Sequence, residues 1–255
     1  MENSTLWELV LVTPENVGEI GLFCIKNKKT AGYRAKLEWF KQQYELGLRM
    51  TIALGADGKQ AGFVECIPAE FSWRPLHAPG YLFIHCLYVY SKKDRKLGLG
   101  RTLLAVCDRM AREQEMQGVC TMTSDGPWLS GSSLFEKYGY TVTENKDRYG
   151  LAVKRITENG SIPRLANWTA QQKQYEGWHL VYANQCPWHE KAVLELGKVA
   201  TEVGIELNIT QLITPKEARE APSGFGTFSL LHNGRLLADH YISATRFKNI
   251  LKKEL

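Results

Sequence analysis

The chain has 255 residues, 44% hydrophobic and 23% charged, with a formal charge of +5 at neutral pH. That balance is ordinary for a globular protein, leaves chain enough for one large or two small domains, and is too mild to argue for nucleic acid. No window approaches the ~20 continuous apolar residues of a membrane span, and the opening MENSTLWELV lacks the basic-then-apolar order of a signal peptide. The cysteines Cys24, Cys66, Cys86, Cys107, Cys120 and Cys186 include no C-x-x-C pair and no paired zinc spacing. Most sit in apolar or amphipathic segments, where a thiol behaves as a small hydrophobe. The expected compartment is the reducing cytoplasm, with no metal.

In chain order, residues 6–12 read as a strand, followed by Thr13-Pro14, a helix entry with Thr13 as cap and Pro14 at the first position. Residues 17–48 are helical in character. The polar run Lys26-Asn27-Lys28-Lys29-Thr30 and then Ala31-Gly32 divide them into two helices, the second bearing Trp39, Phe40 and Tyr44. Strands follow at 50–54 and 60–67 around the turn Ala56-Asp57-Gly58-Lys59. A loop over 68–80 leads into a strand at 81–90.

The next stretch organises the chain. Leu87, Tyr88, Val89 and Tyr90 carry a strand's period of two. Arg95-Lys96-Leu97-Gly98-Leu99-Gly100 is a basic, glycine-rich turn, and Arg101 and Thr102 lead into a helix. Leu103, Leu104, Cys107, Met110 and Ala111 mark that helix's apolar side, Asp108, Arg109, Arg112 and Glu113 its polar side, and Gly118 its stop. Gly98 and Gly100 let a ligand approach the backbone closely, and the helix offers unpaired N–H groups and a positive dipole end. A pyrophosphate fits there. The glycines are misplaced for both G-x-G-x-x-G and the Walker pattern.

This strand, loop and helix resemble the acetyl-CoA-binding motif of the GNAT superfamily of N-acetyltransferases, L-x-V, a short loop, [QR]-x-x-G-x-[GA], then a helix. The loop from Val89 to Arg95 is one residue longer than the commonest form. A strand at 119–123, a helix at 128–138 and two strands within 140–156 complete an order β-α-α-β-β-β-α-β-α-β-β, similar to that family over residues 1–156. The resemblance implies acetyl-CoA as co-substrate, with pantetheine held by the backbone of Leu87, Tyr88 and Val89. The pyrophosphate would be held by the turn comprising Arg95, Lys96, Leu97, Gly98, Leu99, Gly100, Arg101 and Thr102.

Acetyl transfer to an amine needs a base for the ammonium proton and usually an acid for the departing thiolate. His85, four residues before Val89, is the first base candidate, because similar aralkylamine N-acetyltransferases carry a histidine there and its ordinary pKa lies near neutrality. Glu65 on the neighbouring strand is the alternative, directly or through water, and His77 a third. The family's usual acid is the tyrosine of Y-x-x-x-G-[FY]. Here Ser133-Leu134-Phe135-Glu136-Lys137-Tyr138-Gly139-Tyr140 puts Phe135 in that place. A phenyl ring donates no proton. Tyr138, three residues on, is the candidate substitute, and Ser132 and Ser133 are nearby hydroxyls.

Residues 157–177 read as a polar linker from which Leu165 and Trp168 dock onto one domain. A second periodic block follows: a strand at 178–183, a helix at 187–204, a strand at 205–213, a short helix at 215–220, a hairpin of 227–231 and 235–242 turned by Asn233-Gly234, and a basic helix at 243–255 capped by Ser243. The order β-α-β-α-β-β-α is thioredoxin-like, with Cys186-Pro187-Trp188-His189 between the first strand and the long helix. A thiol at a helix N-terminus is favoured as thiolate. The fourth position holds His189 in place of a resolving cysteine, and Phe225-Gly226-Thr227 has glycine where such folds carry a cis-proline, so an ordinary disulfide reductase is not indicated. The block resembles the YoaP-like domain found fused behind bacterial GNAT domains.

The fold class expected is α/β, a GNAT fold with a mixed central sheet flanked by helices, followed by a smaller thioredoxin-like α/β domain. The boundaries are 1–156, a linker at 157–177, and 178–255. The functional expectation is an acetyl-CoA-dependent N-acetyltransferase acting on a primary amine of a small molecule or peptide, with no nucleic-acid or membrane partner. Its second domain would assist acceptor recognition. Alternatives are an acyl-CoA-binding sensor, or a thiol- or metal-handling protein centred on Cys186 and His189.

Overall fold

A computed structural model of the protein describes residues 6–158 and 160–255. The first five residues of the opening segment, and Asn159 of the expected linker, lie outside the described residues. Strand β1 (Glu8–Val12) comes first. The Thr13 N–H then donates to Asn16 Oδ1 at 2.8 Å, and the Asn16 N–H to Thr13 Oγ1 at 3.3 Å. Those local bonds compete with a helix at Pro14, so the cap falls on Asn16 and not on Thr13. Helix α1 is short, Val17–Ile20, because it stops at Gly21, which has φ of 80°.

Then come α2 (Ala31–Glu45), β2 (Arg49–Leu54), β3 (Gln60–Pro68), β4 (Leu76–His77), β5 (Tyr81–Val89), α3 (Lys92–Lys96), α4 (Leu99–Glu113) and β6 (Gly118–Ser124). The glycine-rich turn is more compact than its sequence suggests. Ser91 Oγ accepts from the Asp94 N–H at 2.9 Å and caps α3, so Arg95 and Lys96 lie on a helix and only Leu97 and Gly98 separate it from α4. Helix α5 is Ser132–Glu136, shorter than the 128–138 expected. Trp128 has φ of 74° and the Ser124 N–H donates to Ser130 O, closing a loop where the first helical turn was expected. Strands β7 (Thr141–Lys146), β8 (Tyr149–Arg155) and β9 (Arg164–Leu165) follow, then α6 (Trp168–Gln172), β10 (Trp178–Tyr182), α7 (Pro187–Val203), β11 (Leu207–Gln211), α8 (Pro215–Arg219), β12 (Phe228–His232), β13 (Arg235–Ala238) and α9 (Ala244–Glu254).

The chain forms two compact units, and neither is contiguous in sequence. Of the described residues, the first gathers 6–26 with Lys41–Phe71 and His77–Leu165; the second gathers Asn27–Phe40 and Ser72–Leu76 with Ala166–Leu255. In the first unit a mixed sheet runs β1-β2-β3-β5-β6-β8-β7, with β5 and β6 its parallel pair. The apolar side of α4 lies on it. Leu99, Leu103, Leu104, Cys107 and Ala111 are buried among Val64, Leu82, Ile84, Val119 and Ala152. Each buried leucine of that kind contributes about 2 kcal/mol.

Gly62 on β3 permits this seating, because a Cβ there would stand 2.9 Å from Tyr88 O and 3.0 Å from Leu99 Cδ2. Gly62→Val is therefore expected to lift the first turn of α4 and to cost about 1–3 kcal/mol of stability, read from denaturant midpoints.

In the second unit the sheet runs β11-β10-β12-β13, with β10 and β11 parallel and the other pairs antiparallel. Asn233 and Gly234 turn the β12–β13 hairpin at φ of 49° and 73°, the left-handed pair a two-residue turn requires. Thr214 and Glu217 form a reciprocal capping box on α8, and Ser243 Oγ caps α9. Aromatic packing explains why segments distant in sequence join this unit. Trp39 and Trp73 meet edge-to-face at 5.4 Å, the Arg74 guanidinium lies 4.5 Å from the Phe225 ring, and Gly32 leaves room for the Pro187 carbonyl.

Candidate active site

The centre of the first sheet opens into a wedge. β5 and β6 pair only from Tyr81 opposite Gly118 to Ile84 opposite Thr121, although β5 continues to Val89. On its other side β5 stays paired with β3 as far as Val89. The Tyr90 N–H donates to Ala61 O at 2.9 Å, which fixes the alternation: Tyr88 and Tyr90 turn their main-chain groups to β3, and Leu87 and Val89 turn theirs to the wedge. On the wedge side those two residues find no ladder partner among the described residues. An extended, amide-bearing ligand could be taken there as an additional strand.

The α4 N-terminus closes the same region of the chain. Gly98 is its cap residue with φ of 90°, a left-handed conformation that favours glycine. The space around both Gly98 and Gly100 is open: a Cβ at either would meet no atom within 4 Å. The N–H groups of the first turn have no intrahelical acceptor, and Lys92, Lys93, Arg95, Lys96 and Arg101 supply positive charge nearby in sequence. Leu97 is exposed, while Leu99 is buried and anchors the turn to the core. A diphosphate linked to an amide-containing arm fits this arrangement of helix end and wedge. The residues of the expected acetyl-CoA motif are therefore compatible with that group.

His85 and Glu65 come together. Opposite β5, Glu65 pairs with Cys86 and Cys66 with Ile84, so His85 is the extra residue of a β-bulge. The bulge lies where β5 parts from β6. His85 Nδ1 is 3.5 Å from Glu65 Oε1, and both side chains are essentially fully buried. A carboxylate beside an imidazole can hold the ring in one orientation and stabilise its protonated form. His77 is exposed.

The expected acid position is apolar. Phe135 is buried and meets Tyr140 edge-to-face at 5.5 Å, and Tyr138 packs partly buried against the same hydrophobic cluster. The Tyr140 hydroxyl has no hydrogen-bond partner among the described residues, and burial pushes its pKa well up. Beyond this region, a cavity of about 290 Å³ is lined by Thr123, Ser124, Ser132, Asn145, Arg148 and Gly150. Arg148 donates to Ser124 Oγ at 2.8 Å. The sequence carries no spacing signal for this cavity, which joins a strand end to the β7–β8 turn.

In the second unit Cys186 is the cap residue of α7, and His189 lies in the first helical turn. The histidine does not serve as a cationic partner for the thiol. Its Nδ1 is 2.9 Å from Ala183 O, its ring contacts those of Phe225 and Phe228, and it is 1% exposed. Burial, reinforced by the positive charges of Arg74 and Lys36 against the backbone bond to Ala183, brings its pKa down to about 3. No group of three or more potential metal-ligating His, Cys, Asp or Glu side chains occurs among the described residues.

The buried histidine makes stability pH-dependent. Between about pH 6.5 and 3 the unfolded chain binds a proton at this position that the folded chain refuses. Stability present above pH 6.5 is thus lost as pH falls toward 3, with a limiting slope of about 1.4 kcal/mol per pH unit. Urea midpoints measured from pH 7 to pH 4.5 should fall less steeply in His189→Gln than in the wild type.

Together these features define an α/β protein with a mixed sheet flanked by helices, a strand wedge and an anion-ready helix end. Residues 206–249 match the family described as YoaP-like. The chain is 26% identical over 251 residues to the uncharacterized N-acetyltransferase YoaP of Bacillus subtilis (strain 168), covering 94% of this chain and 96% of that one. It is also similar to the structure of an acetyltransferase of the GNAT family from Staphylococcus aureus Mu50, at 14% identity and a TM-score of 0.45, covering 59% of this chain and 99% of the other. A further similar structure is yncA from Salmonella typhimurium with its cofactor acetyl-CoA, at 17% identity and a TM-score of 0.42, covering 62% and 98%. No helix among the described residues is long and apolar enough to cross a membrane.

Proposed function

We propose that this protein is an acetyl-CoA-dependent N-acetyltransferase acting on a primary amine of a small molecule or peptide. The observation that carries the reading is the wedge beside Leu87 and Val89 followed directly by the bare-glycine N-terminus of α4. The relative named as an N-acetyltransferase, similar along nearly the whole chain, supports it. Acetyl-CoA supplies the activated acetyl thioester. Leu87 and Val89 hold its pantetheine arm by their main chain, whereas the main chain of Tyr88, expected to share that role, is turned to β3, and the segment from Arg95 to Thr102 holds the diphosphate.

His85 takes the proton from the acceptor ammonium, and Glu65 orients the imidazole and balances its charge. With Phe135 in the usual acid position, Tyr138 is the proposed proton donor to the leaving thiolate. The expected division at 1–156, 157–177 and 178–255 gives way to the two interleaved units: the first forms the transferase domain, and the second, which takes Asn27–Phe40 and Ser72–Leu76 as well as Ala166–Leu255, forms a thioredoxin-like domain that assists acceptor recognition. The strand order β11-β10-β12-β13 and the position of Cys186 before α7 support the latter assignment.

The test is release of free CoA from acetyl-CoA against a panel of amines and peptides, using the full chain. Turnover with any amine supports the transferase. Tight CoA binding without turnover supports a second reading, an acyl-CoA sensor, which the apolar surroundings of Phe135 favour.

A further inference from the structure

We infer that the outer edge of β11 pairs with the same edge of a second copy of this chain, in antiparallel register about a two-fold axis. β11 is one of the two outer strands of the second unit's sheet, and Asn208, Ile209, Thr210 and Gln211 are all exposed. The Leu212 N–H donates to Tyr182 O at 2.7 Å, continuing the parallel ladder. By alternation, residues 208 and 210 also face β10, while Leu207, Ile209 and Gln211 turn their N–H and C=O groups outward. The ladder has a defined end. The next outward N–H, that of Ile213, is taken by Glu217 Oε2 at 2.7 Å.

The absence of charge favours a second copy as the occupant. A two-fold pairing sets every residue of the segment against another of the same segment, and a residue on the axis against its own copy, so a segment carrying charge of one sign would repel itself. The outer strands β1, β7 and β13 carry Glu8, Glu144 and Lys146, and Arg235, the usual guards against edge pairing. The run from Leu207 to Pro215 carries no charged residue and no glycine, and its proline comes only at the end. A two-fold at Ile209 places Ile209 against itself, Leu207 against Gln211, and Asn208 against Thr210. Each pair is uncharged.

An apolar margin extends the contact. Ile209 is 43% exposed and its Cδ1 lies beside Gly197 of α7, one helical turn from Leu194, which is 61% exposed. The isoleucine is thus accessible at the strand edge, where it would meet its counterpart. This pairing would join two four-stranded sheets into one continuous sheet.

The test is sedimentation equilibrium of the full chain, with Ile209→Lys and Thr210→Lys as variants and Arg235→Ala on the opposite edge as control. The wild type and the control should dimerise, and each lysine variant should weaken association at least tenfold with an unchanged circular dichroism spectrum. Two independent positions keep the test decisive if one variant fails to fold. A monomeric wild type at about 100 µM would overturn the inference, as would lysine variants that dimerise like the wild type. Association lost equally in the control would also overturn it, by placing the contact elsewhere.

Discussion

His85→Gln is expected to lower kcat/KM for amine acetylation by about 10²–10⁴-fold, the usual worth of a positioned general base. Affinity for CoA should stay within about twofold, because the wedge and the α4 N-terminus are separate main-chain features. Glutamine retains bulk in a position that is fully buried, so the loss reports chemistry more than packing. Glu65→Gln is the companion measurement. If Glu65 orients His85 across their 3.5 Å separation, its replacement should cost less than that of His85 and shift the acidic limb of the pH–rate profile. If Glu65→Gln costs more and His85→Gln retains near-normal turnover, the proton is taken by Glu65 and the assignment of base and orienter reverses.

Gly100→Trp should weaken CoA binding roughly a hundredfold, equivalent to losing one or two charge-assisted hydrogen bonds from the helix end. The fold should survive. A Cβ at Gly100 meets nothing within 4 Å, and Gly100 lies inside α4, where replacing glycine generally favours the helix by a few tenths to about 1 kcal/mol. The expected result is therefore a protein of equal or greater thermal stability whose CoA affinity by calorimetry is lower by that factor. Gly98→Val is a poorer probe, since its φ of 90° adds backbone strain to occlusion. Undiminished CoA affinity in a folded Gly100→Trp protein would remove the α4 N-terminus from the site.

Much of the first sheet is legible because its signals are local. Leu103, Leu104, Cys107 and Ala111 fall at helical spacing, and all are buried on one side of α4. Asn233-Gly234 announces its hairpin for the same reason. Glu65 and His85 are legible as residues on neighbouring strands, but their meeting depends on a bulge that neither glycine nor proline marks; only the pairing of β3 with β5 creates it. Trp128 misleads for the opposite reason. A bulky aromatic is a poor guess for positive φ, so its sequence suggests an earlier start for α5 than the chain takes. The least readable feature is the burial of Lys36 and Arg74, at 3% and 1% exposure. Lysine and arginine are rarely buried, and the segments that enclose them come from three separate parts of the chain.

The divergence of β5 from β6 has a consequence for how this surface tolerates change. Main-chain N–H and C=O groups are the same whatever side chain their residue bears. A groove that recognises its ligand through Leu87 and Val89 in this way lets those positions drift so long as the strand survives. Tyr88, with half its surface exposed, has wider latitude still. Alanine scanning along β5 would therefore understate the strand's part in binding. Exchanging the Val89 amide for an ester, which deletes one N–H and leaves every side chain in place, would expose it.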